Sequence, residues 1–364
     1  METRKVESHS EKPDLIGTTP PEGVLAPWRA LNRGKLLYMD ALTQGKQMTA
    51  GAVTEGFFAP DSDNQHPPQD AAAVRVLEID ALPGYSGLGK KHDIGLLAVA
   101  DGATSIMTAP GEYGSGESKV IPGYRSGKVA EITVTSPVED IAAKIDTAVG
   151  TEVLTKLATA DYADADVAID LVRAELIEPA MVHLQNDLER EDHKWQQNSG
   201  VYTGDKPEYA VDRDAANMNK LRNGRLPGGA TSVVGVVLPR PDATEAGTHY
   251  AYLYGVAGKQ DAGEVLLLRD GKYTHLDTPF SDRRQFMRAG NMVSDLDIPG
   301  VRIPLRPGDT IIITTDGYKG YMGDRRAKSS RSESIRDDLM HIGSQDDKTF
   351  VCLTVPKLKQ KTGA

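Results

Sequence analysis

The sequence predicts an α+β domain built on mostly antiparallel sheets. Three observations carry that expectation: strand-length apolar runs soon after Met48, two long amphipathic helical patterns in the middle, and a further series of β-type runs behind them. Strands, then helices, then strands is not the alternation of a βαβ repeat, and no internal repeat is present. The chain has 364 residues, 39% hydrophobic and 26% charged, a balance that suits a globular protein with a packed core.

In chain order, residues 1–46 are polar and Pro-containing, and they read as an irregular N-terminal tail with one short helix around Trp28 to Leu42. The domain is predicted over 47–357, with 358–364 as a C-terminal tail. Its first strands are Ala71–Ile79 and Ile94–Ala100; the Pro/Gly-rich turn between them makes a hairpin the simple reading. A Gly/Ser/Pro-rich stretch over 108–127 reads as a surface loop. From Val138 to Ala160, Ile141, Ile145, Val149, Val153 and Leu157 recur at steps of four, the stripe of an amphipathic helix. A second helix over Asp166–Asp192 carries Ile169, Val172, Leu176, Met181 and Leu184. The strands that follow are Thr231–Leu238, His249–Val256, Glu264–Arg269, Thr310–Thr315 and Thr349–Val355. Asp270-Gly271 is a dipeptide of the kind that joins hairpin strands, and Ser281–Met292 and Ser330–His341 read as further helices.

Bulk properties exclude several functions. A formal net charge of −10 disfavours a nucleic-acid surface, which needs a basic field. No apolar run approaches the ~18 residues of a membrane span, and the N-terminus lacks the apolar core of a secretory signal. Cys352 is the only cysteine, so no intramolecular disulfide forms, and the expected location is cytoplasmic. Cys352 lies inside a predicted strand with no Arg six residues on, where Leu358 stands, so it reads as an inert core thiol rather than a nucleophile.

The chemistry is carried by carboxylates at strand ends. Leu96–Ala100 runs straight into Asp101-Gly102, and Ile311–Thr315 straight into Asp316-Gly317. An apolar strand fixes its last residue rigidly, and a following glycine lets the backbone turn sharply beside a ligand. Asp346-Asp347 and Asp70 each stand just ahead of a strand. Such carboxylates can converge at one edge of a packed pair of sheets, and oxygen ligands without His or Cys suit Mg²⁺ or Mn²⁺ rather than zinc. Two competing motifs fail. Gly84-Tyr-Ser-Gly-Leu-Gly-Lys90 has P-loop spacing, but Lys91 replaces the Mg²⁺-binding hydroxyl and a strand follows instead of a helix. His183 and His193 lack metal spacing and read as solvated.

In order and context these segments resemble the metal-dependent type 2C (PPM) family of protein serine/threonine phosphatases. The resemblance rests on Ala98-Val-Ala-Asp-Gly102, Gly228-Gly-Ala-Thr-Ser-Val-Val-Gly-Val-Val-Leu238, Gly263-Glu-Val-Leu-Leu-Leu-Arg-Asp-Gly271, Leu305-Arg-Pro-Gly-Asp-Thr-Ile-Ile-Ile-Thr-Thr-Asp-Gly317 and Ser344-Gln-Asp-Asp-Lys-Thr-Phe-Val351. It implies a β-sandwich of two mostly antiparallel sheets flanked by helix pairs, with two Mn²⁺ or Mg²⁺ ions at one end. By motif position Asp101 bridges both ions, the Gly102 carbonyl binds the second, and Asp316 and Asp346 hold the first. The implied reaction is hydrolysis of phosphoserine or phosphothreonine in a phosphoprotein substrate by metal-activated water. The alternative is a catalytically weak or inactive relative that acts as a regulatory or binding module.

Four positions depart from the family pattern. Gln69 replaces the acidic residue before Asp70, which removes charge from the second metal site. Gln65 stands where an Arg usually holds phosphate. Ala103-Thr-Ser105 replaces a Gly-Gly-His continuation, so a general-acid histidine has no carrier and no catalytic side chain is assigned. Gly258-Lys259-Gln260 replaces a Gly-Asp-Ser turn, with Asp261 as a displaced substitute.

Overall fold

The computed structural model describes residues 24–25, 37–41, 48–55, 70–80, 91–103, 107–108, 124–159, 164–199, 210–211, 229–241, 248–256, 262–280, 298–316, 335, 338 and 348–356. In chain order the strands are β1 (Val24–Leu25), β2 (Leu37–Ala41), β3 (Thr49–Glu55), β4 (Ala71–Asp80), β5 (Lys91–Ala103), β6 (Met107–Thr108), β7 (Ala210–Val211), β8 (Gly229–Pro239), β9 (His249–Val256), β10 (Ala262–Arg269), β11 (Lys272–Leu276), β12 (Gly300–Leu305), β13 (Thr310–Thr315) and β14 (Lys348–Thr354). Between β6 and β7 run helices α1 (Tyr124–Ile145), α2 (Ala148–Thr159), α3 (Ala165–Val172), a π-helical turn (Arg173–Ile177) and α4 (Glu178–Ser199).

The fold is α+β, with two six-stranded sheets in the orders β1-β4-β5-β8-β9-β12 and β11-β10-β13-β14-β3-β2. Every strand pair among the described residues is antiparallel. Period-two alternation divides the strands between two cores. Leu97 and Val99 of β5, Val233 and Val237 of β8, and Ile311 and Ile313 of β13 fill the layer between the sheets. Leu96, Ala98 and Ala100 face the opposite way, into a core closed by Val134, Ile141 and Ile145 of α1 and Leu176, Met181 and Leu184 farther along. On the far side of the second sheet, helical Ile335 and Asp338 are buried, and Tyr273 Oη donates to Asp338 Oδ2 at 3.0 Å.

The sheets lie strand over strand. β4 covers β3 and β14, β5 covers β14 and β13, and β8 covers β10. Gly95 permits this closeness on β5, because a Cβ there would overlap Leu353 and Met48. The Met48 amide donates to Asp93 Oδ2 at 2.7 Å, which pins the start of β3 to the start of β5. Those contacts set direction: β3, β5 and β13 all run away from this end toward the other.

Several expectations hold. The hairpin β4–β5 pairs Asp80 with Lys91. Asp270 and Gly271 form a two-residue turn between Arg269 and Lys272 with φ of 51° and 75°, the left-handed pair that matches strand twist. Others need correction. Leu37–Ala41 is not helix but strand β2, an edge strand paired to β3. β12 was not among the expected strands, because Arg302 and Pro304 break its apolar pattern; it is an edge strand, where Pro is tolerated.

The first predicted helix begins at Tyr124 and takes in the end of the predicted loop. Pro137 lies inside it, and burial of Val129, Ala130 and Val134 outweighs the lost hydrogen bond. That pattern also divides near Asp146, where the Thr147 hydroxyl accepts from the Gly150 amide and starts α2 afresh. The helical phase shifts there, so Val149 is 52% exposed while Val153, Leu154 and Leu157 are buried. The predicted helix Ser281–Met292, and most of Ser330–His341, lie outside the described residues.

Candidate metal centre

Away from the Met48–Asp93 end, each sheet brings a carboxylate to the far edge. In the first sheet, Ala71 pairs with Ala100, so one step beyond it Asp70 falls opposite Asp101. On the other flank of β5, Asp101 pairs with Thr231 and Gly102 with Ala230. Asp70 shares the phase of Ala72 and Val74, Asp101 that of Leu97 and Val99, and Thr231 that of Val233; all of these point between the sheets. The row Asp70–Asp101–Thr231 therefore crosses three neighbouring strands on one face, toward the second sheet.

Two carboxylates directly opposite each other on one face repel unless a cation or proton lies between them. Both are poorly hydrated: Asp70 is 3% exposed and Asp101 is half-buried. Asp316 follows the fully buried Thr315 at the end of β13, on the facing sheet and at the same end of the sandwich. Asp70 Oδ2 and Asp316 Oδ1 are shut off from solvent and accept no hydrogen bond, although both carboxylates make other interactions. Carboxylate oxygens are the donor type that a hard divalent cation takes.

Of the residues expected at the site, the structure brings Asp70 and Asp101 together across one ladder, seats Gly102 beside them, and places Asp316 at the same end. Asp346 lies outside the described residues, as do Gln65, Gln69 and Asp261. Among the described residues no group of three or more His, Cys, Asp or Glu side chains is close enough to hold a metal. Thr231 was not singled out by the sequence reading. Its motif was read as a strand, and the strand pairing that sets it beside Asp101 has no local sequence signal.

No family model matches the chain, and no curated protein matches it. Similar solved structures include the Mycobacterium tuberculosis serine/threonine phosphatase PstP/Ppp, 13% identical over 85% of this chain and 99% of that one, with a TM-score of 0.40. A bacterial serine phosphatase is 12% identical over 85% and 99%, with a TM-score of 0.43. RsbX in complex with magnesium is 10% identical over 87% and 100%, with a TM-score of 0.38. Likenesses this shallow carry no argument about activity.

The opposite end of the sandwich is held by a charged knot. Buried Asp309, in the turn between β12 and β13, accepts from Arg269 Nε at 3.1 and 3.0 Å and from Arg269 Nη2 at 2.6 Å. It also accepts from the Arg306 amide at 2.7 Å, while Arg269 Nη2 donates to the Pro304 carbonyl at 3.0 Å. Gly308, with φ of 88°, gives the turn its left-handed step. One guanidinium thereby joins β10 of the second sheet to β12 of the first. No helix among the described residues is long and apolar enough to cross a membrane.

Proposed function

We propose that the chain is a Mn²⁺- or Mg²⁺-dependent protein serine/threonine phosphatase of the PPM type. The observation that carries this reading is the opposed pair Asp70 and Asp101, aimed between the sheets at the end where β13 delivers Asp316. Two cations bound there would supply a water acidified for attack and positive charge for the phosphoryl oxygens. The protein's part is positional. β4 and β5 hold two carboxylates at a fixed cross-strand spacing, Gly102 carries the strand on beside them, paired with Ala230, and the dry layer beneath excludes solvent from their inner side. Asp316 and Asp346 complete the proposed site.

The catalytic unit is proposed as residues 47–357, with the edge strand Leu37–Ala41 added to it. The proposed substrate is a phosphoprotein, and the proposed setting is the cytoplasm, in keeping with a single cysteine that is buried. Hydrolysis of an aryl phosphate in Mn²⁺ and in EDTA tests the reading. Activity should appear only with metal and should vanish in Asp101→Asn and Asp316→Asn.

Gln69 and Gln65 favour a second reading, a metal-binding regulatory module without turnover. The two are separated by Gln69→Glu. In a working enzyme the added carboxylate lowers the Mn²⁺ concentration needed for activity, whereas in a binding module it tightens Mn²⁺ without producing hydrolysis. If it alters neither, Gln69 and Asp70 do not stand at the metal centre.

A further inference from the structure

Thr231 has no structural reason to be a threonine. It is fully buried, and its Oγ1 has no hydrogen-bond partner. Among the buried hydroxyls at these strand ends, Ser232 Oγ donates to the Val256 carbonyl at 3.3 Å and Thr315 Oγ1 to the Thr349 carbonyl at 3.3 Å, whereas Thr314 Oγ1 and Thr349 Oγ1, like Thr231 Oγ1, have no partner. A buried hydroxyl with no partner lowers stability. Valine has nearly the same shape without that penalty, and β8 already carries Val233, Val234, Val236 and Val237 just beyond it.

What sets Thr231 apart is its neighbour. It pairs with Asp101 across the β5–β8 ladder and shares the face that looks between the sheets. Cβ atoms of such a pair stand roughly 4.5–5.5 Å apart, within reach of a hydroxyl turning to a carboxylate. On the other side of Asp101 lies the Asp70 carboxylate, which cannot donate while ionised.

We propose that Thr231 is a positioning residue for the metal centre. When a divalent cation binds, its hydroxyl donates to the Asp101 carboxylate and fixes the orientation in which that group presents an oxygen to the metal. Donors of this kind, one step behind the ligand, set affinity as well as geometry. The inference rests on the metal centre proposed above.

The test is Mn²⁺ titration calorimetry on the full chain, with thermal unfolding in EDTA as a second measurement. Thr231→Val should weaken Mn²⁺ binding about tenfold or more, while its unfolding temperature without metal stays level or rises. Thr231→Ser should keep the wild-type affinity. If Thr231→Val binds Mn²⁺ like the wild type while Asp101→Asn does not, the metal centre stands and this role for Thr231 is overturned. If Thr231→Val also unfolds earlier in EDTA, the hydroxyl is structural and the proposal is equally overturned. Unchanged affinity in Asp101→Asn removes the metal centre, and this inference with it.

Discussion

In the proposed metal centre, Asp70 and Asp101 set stability against binding at the scale of single residues. Opposed on one face of a ladder, they repel in the metal-free protein, and each Asn substitution removes one charge at almost constant shape. Asp70→Asn should therefore raise metal-free stability by about 0.5–1 kcal/mol and at the same time weaken Mn²⁺ binding. Urea unfolding in EDTA and calorimetry with Mn²⁺ would show the two effects with opposite sign; a loss of both stability and affinity would place Asp70 in a purely structural role. His92, buried at the start of β5, has its pKa pushed below the ordinary value by burial, partly offset by the neighbouring Asp93 carboxylate. The unfolded chain then takes up the proton first, so stability is lost as pH falls from about 6.5. His92→Gln should flatten that slope below about pH 6.5, as read from denaturant midpoints across the range. Asp101 and Asp316 were legible as candidates because an apolar strand followed by Asp-Gly is a local pattern. Thr231 was not, because its partner lies on another strand.

At the scale of elements, hydrogen-bond accounting explains what periodicity left out. Pro179, in the first turn of α4, has no N–H to offer the carbonyl four residues back, Glu175, and the helix passes through that point as a π-helical turn. Lys144 Nζ of α1 donates to the same carbonyl, so the irregularity is also a tie between helices. The Asp309 turn is a second such tie, this time between sheets. Asp309→Asn would leave the Arg269 charge half-compensated and should cost about 2–4 kcal/mol. Equilibrium unfolding would register that loss, while Mn²⁺ affinity should stay unchanged because the turn is at the end remote from the carboxylates. The turn lies within the segment Leu305–Gly317, which the sequence offered as a motif and not as a turn. The Arg269 that fills it comes from a strand two elements earlier, and no spacing rule connects them.

For the whole molecule, the two cores lie on opposite faces of the first sheet, so disruption of one should unfold the other with it. Ile145 is buried among residues of α1 and the first sheet. Ile145→Asp should abolish cooperative thermal unfolding, because an unpaired buried charge costs several kcal/mol; an unchanged transition would detach the helix from the core. Metal binding should couple to the same transition. Mn²⁺ at a hundredfold excess over its Kd adds about 2.7 kcal/mol of stability. Differential scanning calorimetry should therefore show EDTA lowering the unfolding temperature of the wild type but not of Asp101→Asn.

Local chemistry determined the class of the protein and the residues most worth watching. Strand-length apolar runs, helical stripes and turn dipeptides each depend on neighbours a few residues away, so they were readable in one dimension. That reading placed β4, β5, β8, β9, β10, β13 and β14 and marked Asp70, Asp101 and Asp316. The tertiary structure decided what depends on partners far along the chain: edge strands β2 and β12, the phase break that exposes Val149, and the register that sets Asp70 and Thr231 on either side of Asp101. Register is a property of pairs of strands. A slip of one residue would turn those side chains to the helical face, and only burial of the inter-sheet core holds them where they are.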